Sequence, residues 1–344
     1  MVRSLDLALR RSPAATGRQH PFATDTFVPI ETVWEGSTDT RDPKFSGFLR
    51  ELSLSAQAGE LTLRFPPHKQ PELSAPGKWN LEGDAAFAER HPESWNYLEP
   101  SSPNHALKQL EKAIYLDRLS PWMEQIPTGA RVLDLGGGIG RFATEWATRG
   151  HPVTLVDPNP AALSIALGHL THQKASFELL HLGAEDLSVI AENTFFALTA
   201  MEVFCYLSDP GAGFREAARV LRPGGRMFVS VESPIGSLEP SVEHSAEDLE
   251  KALQTTERAV EGDVWVRYFS ATSLRESLEE AGLVVEMICG THYLPDGPLH
   301  HLVNFERVGD PAYDQSLIQL ERLLEQSATW QNRARSWVGV ARKP

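Results

Sequence analysis

Four glycines fall within five positions, one residue beyond an acid, in Val132–Phe142, VLDLGGGIGRF. An apolar run that breaks into a bare loop and then a helix turns backbone N–H groups and a positive helix end toward a ligand that must come close. A pyrophosphate loop wants the spacing G-x-G-x-x-G. Counted from Gly136 and Gly138, the third place holds Arg141, and the extra glycines are Gly137 and Gly140. Asp134, at the end of the apolar run, adds to the misfit, because a carboxylate there disfavours a pyrophosphate and suits an ammonium or a sulfonium. The next apolar run ends in VTLVDPNP, whose Asp157 and Pro158 can meet the hydroxyls of a ribose. After the third comes GAEDL, where Glu185 or Asp186 can accept the exocyclic amine of an adenine. A ribose, an adenine and a cationic amino-acid tail together describe S-adenosylmethionine.

A methyl on a sulfonium is already activated. Its transfer needs an in-line nucleophile held close, with water excluded and sometimes a base. Tyr206 can aim its hydroxyl or ring at the methyl, or close a wall by packing. His292, His300 and His301 offer imidazoles able to take a proton near neutral pH, with His292 the candidate base, His300 a candidate substrate contact, and a surface or hydrogen-bonding role the alternative. The pair His300–His301 lacks the spacing or carboxylate partners of a metal site, so no metal is expected. VWVRYF places Trp265, Arg267 and Tyr268 as candidate substrate contacts, with Arg267 able to pair with a substrate carboxylate or with an internal acid. Trp95, Tyr97 and Tyr115 can fold over the cofactor and face its sulfonium, or simply pack an N-terminal extension onto the main domain.

These residues need a frame. From RVLDL onward, apolar and β-rich runs alternate with helical ones: PVTLVD, SFELLHL, FFALTAM, RMFVSVES, LVVEMIC and SWVGVAR, with GRFATEWATRG, PAALSIALGHLTH, GFREAARVL and ATSLRESLEEAG between the first six. Seven strands so arranged predict a doubly wound α/β sheet, mostly parallel, with helices on both faces. A helix precedes them in NHALKQLEKAIYLDRLSPWMEQI, with Asn104 expected to cap its start and Pro121 to mark its end. Residues 1–103 read as an extension lying on the main domain of residues 104–344, with recurrent aromatics including Trp34 and Trp79. Insertions at 233–269 and 290–334 are the expected cap over a substrate, and the helix YDQSLIQLERLLEQ carries Leu317, Leu320 and Leu324 on a core-facing stripe.

Taken in order, VLDLGGGIGRFA, VTLVDPNP, GAEDL, TAMEVFCYLSDP, EAARVLRPGGRMFVS and RYFSATSLRESLEEAGL resemble the successive motifs of class I S-adenosylmethionine-dependent methyltransferases, and WVGVARKP resembles their last, antiparallel strand. The resemblance runs from about Ala113 to the end of the sequence. It implies that Asp134, Gly136, Gly138 and Gly140 cradle the methionine and ribose end, and that Asp157 holds the ribose. It also implies that Glu185 or Asp186 reads the adenine and that Met201 and Glu202 face the cofactor.

With 46 acidic against 32 basic residues the net charge is −14, which argues against a general nucleic-acid or anionic-membrane binder. Cys205 and Cys289 stand far apart, so neither a disulfide framework nor a zinc site is expected, and a cytoplasmic setting is the default. The expectation is therefore a methyltransferase, a monomer or homodimer, moving a methyl to an O, N, S or C atom of a small molecule in specialised metabolism. Its rivals are intramolecular alkyl chemistry that releases methylthioadenosine, a non-catalytic S-adenosylmethionine-binding partner protein, and, weakened by glycine spacing, a nicotinamide dehydrogenase.

Overall fold

The computed structural model describes residues 92–170, 173, 176–234 and 265–344, together with the backbone of three short strands outside these ranges. In chain order the elements are β1 (Ser53–Gln57), β2 (Glu60–Arg64), α1 (His105–Met123), β3 (Val132–Leu135), α2 (Arg141–Thr148), β4 (Val153–Asp157), α3 (Pro160–Leu170), β5 (Phe177–His181) and β6 (Phe195–Met201). There follow α4 (Pro210–Val220), β7 (Leu221–Glu232), β8 (Glu257–Ala259), β9 (Trp265–Arg267), α5 (Ala271–Glu280), β10 (Val284–Thr291), α6 (Pro311–Gln326) and β11 (Ser336–Arg342). Hydrogen bonding along the main sheet runs in the order β10-β11-β7-β6-β3-β4-β5-β1-β2. All seven expected strands are present, and the four expected helices lie among the first six, with no helix between β5 and β6. Trp34, Trp79 and most of the 233–269 insertion lie outside the described residues.

One compact unit contains residues 127–200 and 216–225 and the first two strands. Within it β3 lies between β4 and β6, parallel to both, and β5 continues the parallel run beyond β4. Chain order therefore reverses direction at β3, the place where open α/β sheets bind ligands beyond their carboxyl ends. Every residue of β3, β4 and β5 is buried, as strands covered on both faces require. The β1–β2 hairpin adds a feature the periodicity did not announce: β1 pairs antiparallel with β5.

The other unit holds residues 92–126, 201–215 and 226–344 among those described. In it β11 lies between β7 and β10 and runs antiparallel to both, as the last strand was expected to do. Ser270 and Ser273 form a reciprocal capping box at the start of α5, and Asp310 accepts the Ala312 N–H to start α6 at Pro311. Leu110 and Ile114 of α1 cluster with Leu317 and Leu324 of α6 and with Tyr293 and Leu294, with Leu320 packed against the group. Pro121 does not end α1 but sits within its last turn, and Asn104 occupies the cap position without a side-chain bond. Pro121 cannot donate the N–H that the Asp117 carbonyl would otherwise accept, and the helix runs only two residues beyond it.

Candidate active site

The glycine loop that follows β3 is held from below by two acids. Asp134, fully enclosed, accepts the Ala143 N–H on Oδ2 at 2.8 Å and the Thr199 hydroxyl on Oδ1 at 2.6 Å. Burial pushes its carboxyl up to about 6 against these bonds and the nearby Arg141 charge. Asp134 thus joins β3 to the first turn of α2 and to β6. Asp157 accepts the Gly138 N–H on Oδ2 and the Asn159 N–H on Oδ1, both at 2.8 Å.

Gly136, Gly138 and Gly140 all adopt left-handed backbone, with φ of 62°, 53° and 91°. Two of the glycines do different jobs. A Cβ on Gly137 would lie 2.7 Å from Asp134 Oδ2 and from Leu155 Cγ, so this residue is glycine because the loop packs on its own strand. A Cβ on Gly138 would meet no atom within 4 Å, so bare backbone there borders open space beside Asp157. A glycine required by backbone conformation, opening onto space and flanked by a strand-end carboxylate, fits the ribose and amino-acid end of S-adenosylmethionine. Farther along this unit, Pro158 offers its carbonyl to His181 Nε2 at 2.9 Å, Glu185 is half-buried, and exposed Asp186 accepts the Ser188 N–H at 3.0 Å.

In the other unit the strand ends assemble a charged cluster. The register sets Ser336, at the start of β11, level with Glu232 at the end of β7 and with Thr291 at the end of β10. Arg335 precedes that row and His292 follows it. Arg335 reaches Glu202 through Nη1 at 2.8 Å, Asp296 through Nε at 2.7 Å and Glu232 through Nη2 at 3.5 Å. One guanidinium thus faces three carboxylates. Glu202, next after β6, adopts left-handed backbone at φ 58°, uncommon for a residue with a side chain, and its N–H is held by Ser230 O and Oγ, each at 3.0 Å. Burial pushes Glu232 up and Asp296 up to about 7, while the Arg335 charge pulls both down.

His292, also left-handed at φ 61°, is completely enclosed, and burial pushes it down to about 4. Its Nε2 lies 3.3 Å from the Glu111 carbonyl and must donate to it, so Nδ1 of the neutral ring carries the lone pair. That lone pair faces Asp296 Oδ1 at 3.8 Å, and neither atom has a hydrogen-bond partner. Tyr115, expected over the cofactor, is a fully buried α1 residue whose hydroxyl donates to Glu202 at 3.0 Å and whose ring lies against His292. Tyr206 donates its hydroxyl to Glu232 at 2.7 Å, and burial beside that acid pushes its own pKa well up.

The other sequence candidates have contacts of their own. Arg267 donates to the Ser208 carbonyl at 3.3 Å and lies over the Trp265 ring, Tyr268 is buried, and His300 bonds the Pro295 carbonyl and leans on Phe305. The Tyr97 carbonyl meets His105, and Met201 closes β6 almost buried. Glu232, Asp296 and Arg335 escaped the sequence reading. A signal existed for Glu232, which ends an apolar strand just as Asp157 does. For Asp296 and Arg335 the spacing carried none.

A family model described as "Methyltransferase domain" matches residues 105–287. A ubiquinone biosynthesis O-methyltransferase of Xanthomonas axonopodis pv. citri is 34% identical over 150 residues, which cover 44% of this chain and 59% of that protein. Its counterpart in Xanthomonas campestris pv. campestris strain B100 is 32% identical over 164 residues, covering 48% and 65%. The chain thus spans well under the full length of these relatives. Among solved structures, an S-adenosylmethionine-dependent methyltransferase from Mesorhizobium loti aligns with 68% of this chain and 100% of its own, at 18% identity and a TM-score of 0.47.

Proposed function

The chain belongs to the class I S-adenosylmethionine-dependent methyltransferase family, and on that premise we propose that it transfers a methyl group to a heteroatom of a small molecule. The supporting observation is Gly138: left-handed, open on its free side, and bonded through its N–H to Asp157. Gly136, Gly138 and Gly140 would lie along the methionine and ribose, Asp157 would meet the ribose hydroxyls, and Glu185 or Asp186 the adenine. S-adenosylmethionine supplies a methyl already activated by positive sulfur. The chain's residues then orient an acceptor, exclude water and receive the acceptor's proton.

Tyr206 and His292 enter this reading as positioning groups. Tyr206 spends its proton on Glu232, and His292 has no exposed surface. The carboxylates Glu202, Glu232 and Asp296, whose side chains keep 15%, 9% and 14% exposure, are the groups able to take a proton. The names of the curated relatives support an oxygen atom as acceptor. Cytoplasmic placement and a monomeric or homodimeric state, expected from the sequence, belong to the same reading; no helix among the described residues is long and apolar enough to cross a membrane.

The test is calorimetry with S-adenosylhomocysteine. The wild-type chain binds it, and Asp134→Ala binds at least tenfold more weakly, because the first turn of α2 and β6 lose their shared anchor beneath the loop and two buried donors lose their acceptor, a cost of roughly 2–4 kcal/mol. Binding of NADH in place of the sulfur nucleoside overturns the proposal. Release of methylthioadenosine from S-adenosylmethionine alone assigns the alkyl-transfer rival.

A further inference from the structure

We infer that the cluster at the ends of β7, β10 and β11 is a cation subsite, and that the methyl acceptor carries a protonated amine which seats against Glu232 and Asp296. The inference rests on the methyltransferase reading and deepens it by naming a substrate class.

The geometry comes first. Three carboxylates from three chain segments converge on Arg335, whose Nη1, Nη2 and Nε all point at acids. Arg335 already faces three carboxylates, so a fourth carboxylate from a substrate would add negative charge to a cluster that holds it in excess, and the site disfavours acids. Glu111 of α1 has its own counter-charge in Lys108 at 2.7 Å, and Tyr115 and Tyr206 contribute neutral hydroxyls. Cys205 is a buried neutral thiol.

The second observation is independent of the acids. His292, wholly enclosed, turns an unpartnered Nδ1 lone pair toward an unpartnered Asp296 oxygen. A lone pair and a carboxylate repel unless a proton or a cation's hydrogen lies between or beside them. Side chains of Glu232, Asp296 and Arg335 keep 9%, 14% and 16% of their exposure, enough for a small group to reach the cluster's edge. An ammonium with three donors supplies what the cluster lacks. Burial has pushed Asp296 up to about 7, so the cluster by itself holds a proton that an arriving cation expels. Amine binding therefore releases protons and tightens as pH rises through about 7.

The experiment uses the full chain saturated with S-adenosylhomocysteine and probe triplets that differ in one group: tyramine, 4-ethylphenol and 4-hydroxyphenylacetate, with dopamine and its neutral and carboxylate counterparts beside them. Calorimetry in two buffers of different ionisation enthalpy reads affinity and proton release together. Amine members are expected to bind about tenfold more tightly than neutral ones and to release protons, with the carboxylates weakest. Glu232→Gln and Asp296→Asn, each first shown to unfold cooperatively, should lose that preference. Equal affinity across each triplet, no binding by any amine, or preference retained in both variants overturns the inference while leaving the methyltransferase reading intact. Loss of S-adenosylhomocysteine affinity in these variants also overturns it, by assigning the cluster to the cofactor's own ammonium. Failure of the wild-type chain to bind S-adenosylhomocysteine sinks the underlying reading instead.

Discussion

Gly137 and Gly138 are neighbours with the same side chain and opposite reasons for it. An alanine at 137 would press on Asp134 and Leu155 at 2.7 Å, so Gly137→Ala acts mainly on stability, by about 1–3 kcal/mol. At 138 the new methyl would meet only open space, and the penalty is the left-handed backbone, about 1–2 kcal/mol. Yet that methyl would fill the space into which the proposed ligand settles. Thermal melts paired with S-adenosylhomocysteine titration should show Gly138→Ala losing affinity by more than tenfold with the smaller fall in melting temperature. A Gly138→Ala protein that binds like the wild type would move the ligand elsewhere. The glycine run was legible in the sequence because conformation and close approach leave a compositional mark. The division of labour inside it was not, since spacing does not say which side of a loop faces its own strand.

Among the elements, strands and helices were easy to read where burial on both faces makes a run continuously apolar, as in β3, β4 and β5. The β1–β2 hairpin escaped because its alternation in a Pro- and Ser-rich stretch gives a weaker signal, and its partner β5 is remote in sequence. Three members of the charged cluster escaped for a related reason: Glu232, Asp296 and Arg335 meet one another and Glu202 from chain segments remote in sequence. Helix α6 carries a buried acid of its own. Glu321 accepts the Leu294 N–H at 2.8 Å and is pushed up to about 7 by burial, against an unfolded value of 4.5. Because its folded pKa is the higher one, its contribution to stability is complete below about 4.5 and lost as pH rises through about 7, a change of roughly 3 kcal/mol. Asp134 and Asp296 act in the same direction, and His292, pushed down to about 4, in the opposite one, its contribution failing as pH falls from 6.5 through 4. Glu321→Gln should therefore flatten the decline in melting temperature between pH 5 and pH 8. Parallel wild-type and variant curves would remove Glu321 from that account.

On the scale of the whole molecule, the last strand in sequence is an interior strand of its unit. Residues Ser336–Arg342 pair with β7 on one side and β10 on the other. Deleting residues 336–344 would strip two ladders at once and leave buried Val229 and Val231 facing a gap. Such a chain should show no cooperative melt by circular dichroism, and a sharp transition would contradict the pairing. Position in the sequence also imposes an order in time. A ribosome adding about 5–20 residues per second makes Asp134 and its glycines roughly 10–40 s before Arg335. The nascent chain holds every described residue of the glycine-loop unit by residue 225, when Glu202 has been made and the Arg335 guanidinium that will face it has not. Newly made protein therefore passes through an interval in which its glycine-loop unit is complete in sequence while its acid-lined unit still lacks Arg335.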